Sequence, residues 1–268
     1  MEGYIRCSEL VGQLDQIQEG NVVYVVSDVL ELAKQAREHG ERFDRDLFLD
    51  SLQKKVGKTG TLLIPTFNWD FCKGIAFDYK RTPCRTGALG TAALNREDFV
   101  RTKHPIYSFA VWGKDRSWLF EQDEPNCFGE NSIFDYMYRQ DARALVIGLD
   151  AMDGLTFMHH VEQMVGVPFR YPKVFAADYT DWNGRTARKE YSMYVRDLNM
   201  DAREQSKPFS RLLEQLNISR TRVLNQVPFR TVLLRQVYTL EAMDIQFNDS
   251  RNLYCYKGQK KKEQRCCV

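Results

Sequence analysis

Three short apolar runs constrain this chain most: Val22-Val23-Tyr24-Val25-Val26, Thr61-Leu62-Leu63-Ile64-Pro65 and Leu145-Val146-Ile147-Gly148-Leu149. None alternates with polar residues, so a strand built from any of them has no face to give to water. Such strands belong inside a sheet covered on both sides, the pattern of α/β architectures. Turn residues and a helix-periodic stretch follow the first run. Ser27 and Asp28 end it, and either can cap a helix through Leu30, Leu32 and Ala33. Residues 44–56 repeat Phe48, Leu49, Leu52 and Val56 at helical spacing before Gly57 and Gly60. A short helix over 87–95 and a strand over 108–113 come next. Asn183-Gly184 predicts a tight hairpin between strands over 174–182 and 185–195, because both residues tolerate positive φ. Helices are predicted over 209–216 and 231–245. The fold class is therefore α/β, a mixed sheet flanked by helices with a late β-hairpin. Residues 1–256 read as a single domain and 257–268 as a basic, flexible tail.

Composition narrows the function. A net charge of +2 over 268 residues argues against a nucleic-acid binder. No run approaches the roughly 20 apolar residues of a membrane span, and no secretory signal opens the chain. The seven cysteines are odd in number, with no C-x-x-C pair. They predict neither a disulfide framework nor zinc, but reduced thiols in a cytoplasmic protein.

The segment after the third strand carries the chemistry. At about 100° per residue, Phe157, Met158, Val161, Met164 and Val165 form a core stripe. His159 lies nearly opposite that stripe with Glu162 about 60° from it, so the two share a face. If Thr156 caps the helix, the helix dipole in the first turn disfavours imidazolium, while Glu162 favours it. The balance gives a base useful near neutral pH, with its tautomer set by the carboxylate. On spacing alone, a solvated surface pair is the favoured reading. Adjacent His159 and His160 point about 100° apart and cannot readily share a metal, and no metal site is expected. The 66–81 stretch, rich in aromatics including Trp69, reads as a binding loop. If the three buried strands run parallel, Ser27-Asp28, Thr66-Phe67 and Asp150 gather at one sheet edge, where ligands bind.

Taken in order, Gly60-Thr61-Leu62-Leu63-Ile64-Pro65-Thr66-Phe67, Gly87-Ala88-Leu89-Gly90, His104-Pro105 with Ser108 and Gly113, Gly129 with Ser132, and Thr156-x-x-His159-x-x-Glu162 resemble the aminoglycoside 3-N-acetyltransferase family. The resemblance covers roughly residues 20 to 175. It implies a coenzyme-A-dependent N-acetyltransferase with a fold distinct from the GNAT enzymes and acetyl-CoA as acyl donor. On that resemblance His159 is the base and Glu162 its partner. Ser27, Asp28, Thr66 and Phe67 line the donor site, and His104, Asp78 and Trp69 the acceptor site. The chain departs from the family's His-Ser-Ser-Leu with Val26-Ser27-Asp28-Val29, and has Leu155 where the family has asparagine.

The expected reaction is direct attack by an amine, with backbone N–H groups around 27–29 or at Thr66 facing the oxyanion. Cys72, Cys84 and Cys127 show no histidine partner, which disfavours an acyl-cysteine route. The acceptor stays open between two amino-sugar classes. An aminoglycoside suits the acids Glu121, Asp123, Glu124 and Glu130. A nucleotide-linked amino sugar of surface-polysaccharide synthesis suits Lys80, Arg81, Arg85, Arg101 and Lys103. A metal-dependent hydrolase and a non-enzymatic binding module are the alternatives of other classes. Oligomeric state is left open, a dimer being one option.

Overall fold

A computed structural model describes residues 3–256; the basic tail expected over 257–268 lies outside the described residues. A seven-stranded sheet organises the chain. Its strands are β1 (Val22–Ser27), β2 (Thr61–Pro65), β4 (Val100–Arg101), β5 (Phe109–Gly113), β6 (Arg143–Ile147), β10 (Ser219–Leu224) and β11 (Val227–Leu233), in the order β10-β11-β6-β1-β2-β5-β4. The three apolar runs form its parallel centre, β6-β1-β2, and antiparallel strands flank it on both sides. The remaining strands lie apart. Strands β3 (Phe77–Asp78), β7 (Arg170–Thr180) and β8 (Thr186–Arg196) form a three-stranded sheet, and β9 (Ala202–Glu204) pairs with β12 (Tyr254–Tyr256).

Side chains of the central strands divide between two cores. Tyr24, Val26, Leu63, Val111 and Val146 join one, and Val23, Val25, Leu62, Ile64, Leu145 and Ile147 the other. That alternation is the two-residue period of a strand, and apolar residues fill both phases because helices cover both faces. The second core receives α1 (Cys7–Leu10), α2 (Leu30–Glu38), α3 (Arg45–Val56) and α4 (Ala88–Leu94). The first receives α6 (Ile133–Arg139), α7 (Met158–Val165), α8 (Ser206–Gln215) and α9 (Leu234–Asn248), while α5 (Arg116–Glu121) sends Leu119 into it. Among the described residues, no helix is long and apolar enough to cross a membrane.

Four local expectations are corrected. Residues 231–233 belong to β11, and helix α9 begins only at Leu234. The β-branched Thr231 and Val232 sit opposite Leu145 and Ala144, so pairing with the buried β6 overrides the helical reading. The strand read to Leu149 stops at Ile147, where Gly148 turns away with φ 73°. Thr156 does not cap α7: the N-cap position is Phe157, without a side-chain cap, and the Thr156 hydroxyl donates to the Gly154 carbonyl at 3.4 Å. Met164 leaves the expected core stripe and is 37% exposed, while Glu162 is buried in its stead.

Because β1, β2 and β6 are parallel, the loops after Ser27, Pro65 and Ile147 emerge at one edge. Gly148 makes a close crossing there. Its N–H donates to the Pro228 carbonyl at 2.9 Å, and a Cβ at this position would stand 2.4 Å from the Asp28 carbonyl oxygen. Both the positive φ and the contact require glycine. Gly148→Ala is expected to destabilise the protein by roughly 1–3 kcal/mol in denaturant unfolding, without change in the m-value.

Candidate active site

The chemistry-bearing pair lies on α7, which the chain reaches through the loop leaving β6 at that edge. His159 Nδ1 is 2.8 Å from Glu162 Oε2. Their side chains keep 22% and 1% of their surface, so this is not the solvated pair that spacing alone allows. With Nδ1 held by the carboxylate, Nε2 is the nitrogen left for a reacting partner. Phe128 packs edge-on against the ring, their centroids 5.4 Å apart.

A buried carboxylate needs compensating charge. Arg170, the first residue of β7, brings its Nε to 2.8 Å from Glu162 Oε2 and is itself nearly buried. The Tyr254 hydroxyl, from β12, donates to Glu162 Oε1 at 2.5 Å. Arg170 Nη2 also donates to the Tyr254 oxygen at 3.1 Å. Burial opposes ionisation of Glu162, but His159, Arg170 and Tyr254 outweigh it and hold the carboxyl below the usual glutamate range. Glu162 is therefore held as an anion beside the His159 ring. Sequence reasoning missed Arg170 and Tyr254. The one signal for the arginine was indirect: had Glu162 been read as buried, a nearby cation would have been required.

His160 points elsewhere. It is buried, with Nδ1 2.7 Å from the Phe128 carbonyl oxygen. Among the described residues, no three His, Cys, Asp or Glu side chains come together as a metal-ligand set.

The donor-site expectations divide. Ser27 and Asp28 reach the accessible edge, where Asp28 Oδ1 accepts the Leu30 N–H at 3.0 Å and so provides its own anion at the start of α2. Thr66 and Phe67 are buried. The Thr66 hydroxyl meets Ser108 Oγ at 2.9 Å, and Phe67 packs among Trp69, Tyr107, Phe109 and Phe134. The expected oxyanion donors at Thr66 and Asp28 are also taken: their N–H groups donate to the Ser108 and Ile147 carbonyls. Both bonds continue the pairing of the strands just before the edge.

On the acceptor side, Trp69 stays 39% exposed, its indole N–H donating to the Tyr107 hydroxyl at 3.3 Å. Asp78 is not brought to the pair. It faces Thr180 at the far end of β7, and its Oδ1 closes a local turn by accepting the N–H groups of Lys80 and Arg81. Arg170 begins that strand and Thr180 ends it. At about 3.3 Å per residue, Asp78 is roughly 30 Å from Arg170.

His104 lines a small neighbouring cleft of about 20 Å³, room for about one water, with Lys103, Tyr107, Glu124, Asn126 and Cys127. The cleft adjoins α7 through Asn126 Oδ1, which accepts from Gln163 Nε2 at 3.1 Å. His104 Nδ1 accepts the N–H groups of Ile106 and Tyr107, and Nε2 lies 3.4 Å from Cys127 Sγ. Cys127 therefore does have a histidine neighbour, contrary to the sequence reading. Its thiol is nonetheless no nucleophile, because burial pushes it well above the ordinary cysteine range. Burial also lowers His104 to about 3, against smaller opposing effects of Asp123 and the Pro125 carbonyl.

The comparisons with known proteins bear on the fold and the family. The fold is shared by solved proteins, aminoglycoside acetyltransferases among them, that align over nearly the whole chain. Aminoglycoside acetyltransferase AAC(3)-Xa superimposes with a TM-score of 0.73 at 17% identity, covering 90% of this chain and 93% of that one. AAC-IIIb in its binary complex with CoASH superimposes with a TM-score of 0.75 at 16% identity, covering 96% and 100%. The YokD protein from Bacillus subtilis gives 0.72 at 17%, covering 94% and 97%. The family profile Aminoglycoside 3-N-acetyltransferase matches residues 37–243. The chain belongs to the aminoglycoside 3-N-acetyltransferase family, and is thus an N-acetyltransferase.

His104 gives a stability test. Its folded-state value is about 3 against an ordinary 6.5, so the unfolded chain binds the extra proton between those limits. The stability it contributes is complete above about pH 6.5 and declines as the pH falls toward 3. Equilibrium unfolding at pH 7 and pH 5 should show a smaller loss for His104→Asn than for the wild type.

Proposed function

We propose that the protein transfers the acetyl group of acetyl-CoA to a primary amine of an aminoglycoside, with His159 as general base and Glu162 as the anion behind it. One observation carries the reading: a buried carboxylate, ionised by Arg170 and Tyr254, holds Nδ1 of a histidine whose other nitrogen is left for the substrate. His159 Nε2 takes the proton that the amine loses on attack. The new C–N bond forms at the thioester carbonyl, the C–S bond breaks, and the imidazolium returns the proton to the departing thiolate. Glu162 stays ionised throughout and stabilises the imidazolium. Ser27 and Asp28, at the accessible edge, are the donor contacts this reading retains.

Charge favours a cationic acceptor over a nucleotide-linked sugar. Three of the five cations that would hold a diphosphate are engaged within the protein. Arg101 is buried, donating to the Thr82 and Thr66 carbonyls and Ser108 Oγ. Lys103 lies between the rings of Phe120 and Trp182, 4.9 and 4.5 Å from their centroids. Arg85 pairs with Asp70 at 2.7 Å. Glu124 lines the cleft beside α7 and brings a carboxylate to it. Among the structural neighbours, AAC-VIa has been solved with sisomicin and a mutant of AAC(3)-IVa with a gentamicin.

Thiol release from acetyl-CoA, measured against aminoglycosides and nucleotide-linked amino sugars, tests the reading directly. Aminoglycoside-dependent release supports it, and silence with every amine overturns it. His159→Ala should lower kcat by about two to four orders of magnitude with KM little changed. Turnover within tenfold of wild type would remove the histidine from the mechanism.

A further inference from the structure

Behind the catalytic carboxylate stands a second one. Glu241, on α9, is fully buried, and neither of its carboxyl oxygens has a hydrogen-bond partner among the described residues. Helix α9 packs along α7, and the charges acting on Glu241 are Glu162 from α7, Arg170 from β7 and Asp244 on α9 itself. An orphaned carboxyl in a dry interface costs stability and calls for a reason. The charge balance supplies one. This cluster holds one guanidinium, and Glu162 has it at 2.8 Å. An ionised Glu241 would be a second anion beside Glu162 with no donor of its own.

We propose that Glu241 is a positioning residue for the catalytic pair: as a neutral acid it leaves Arg170 wholly to Glu162, and once ionised it draws the guanidinium toward α9 and loosens the carboxylate that orients His159. The proposal rests on the reading of His159 as base. Burial, then Glu162 and Asp244, push Glu241 well above the ordinary glutamate range, and Arg170 opposes them only in part.

The surrounding groups are mostly engaged elsewhere. Asp244 accepts from the side chains of Asn248 and Asn252. Tyr238 of α9 packs on Tyr138 of α6 at 4.4 Å, and Asp135 of α6 pairs with Arg139 at 2.6 Å. Arg235 of α9 donates to the Arg139 carbonyl, and Arg230 of β11 to that of Leu149. Tyr254 of β12 bridges Glu162 and Arg170. Of the cations named, Arg170 alone acts on both carboxyls.

Wild-type protein with ¹³C-labelled glutamate gives the first test. One side-chain carboxyl should still be protonated at pH 7 and titrate on the alkaline side; if every glutamate is ionised at pH 7, the proposal is overturned. The second test compares wild type with Glu241→Gln, which cannot ionise. The His159 imidazole resonances of the wild type should show an additional alkaline inflection that the variant lacks. Over the same range the wild-type kcat should fall by about tenfold, the equivalent of one pKa unit, with KM unchanged, while the variant holds its plateau. Identical profiles, or a variant that only loses thermal stability, would overturn it. If the variant does not fold, the carboxyl spectrum of the wild type decides. A protonated glutamate and the alkaline inflection without acetylation of any amine would sink the catalytic reading and leave the electrostatic coupling standing.

Discussion

Three separate parts of the chain meet on the carboxylate of Glu162, and the candidate site depends on that convergence. Helix α7 supplies the acid and His159, the start of β7 supplies Arg170, and β12 supplies Tyr254. Removing a carboxylate from water costs several kcal/mol unless charge and hydrogen bonds replace the lost hydration. Here both oxygens have partners. The anion is thus ready before any substrate arrives, and His159 is aligned by a group that need not reorganise during proton transfer.

The sheet explains why the loops before the pair gather at one edge. Parallel β6, β1 and β2 end together, and antiparallel neighbours close the sheet on either side. Below that edge the chain is tied together by its own side chains. Arg101 ties the 66–82 stretch to Ser108, and the aromatic series Trp69, Tyr107 and Phe128 runs from the surface to the ring of His159. Residues that looked like ligand contacts from their place in the sequence, Thr66 and Phe67 above all, prove to be the supporting floor.

What could be read in the sequence was what depends on short-range pattern. Apolar runs predicted the central strands and Asn183-Gly184 the place of the hairpin, although its strands stop at Thr180 and Thr186 and Gly184 alone of the two takes positive φ; the expected mixed α/β fold is the one observed. The three-residue spacing of His159 and Glu162 marked them as neighbours on one helix face. It could not reveal the burial of Glu162, because that depends on β7 and β12 packing over the helix. Arg170 and Tyr254 follow no periodicity relative to Glu162, and Thr231–Leu233 took a strand's conformation only because β6 lay beside them. Asp78 failed for the converse reason: being near the aromatic loop in sequence says nothing about which end of an eleven-residue strand it will face.

Tyr254 lies beyond residue 243, where the family match ends, and 92 positions after the carboxylate it serves. The central sheet is complete once β11 has formed, yet the anion lacks its phenolic donor until β12 has docked against β9. Until β12 docks, then, Glu162 has His159 and Arg170 at one oxygen but lacks the hydroxyl that meets the other.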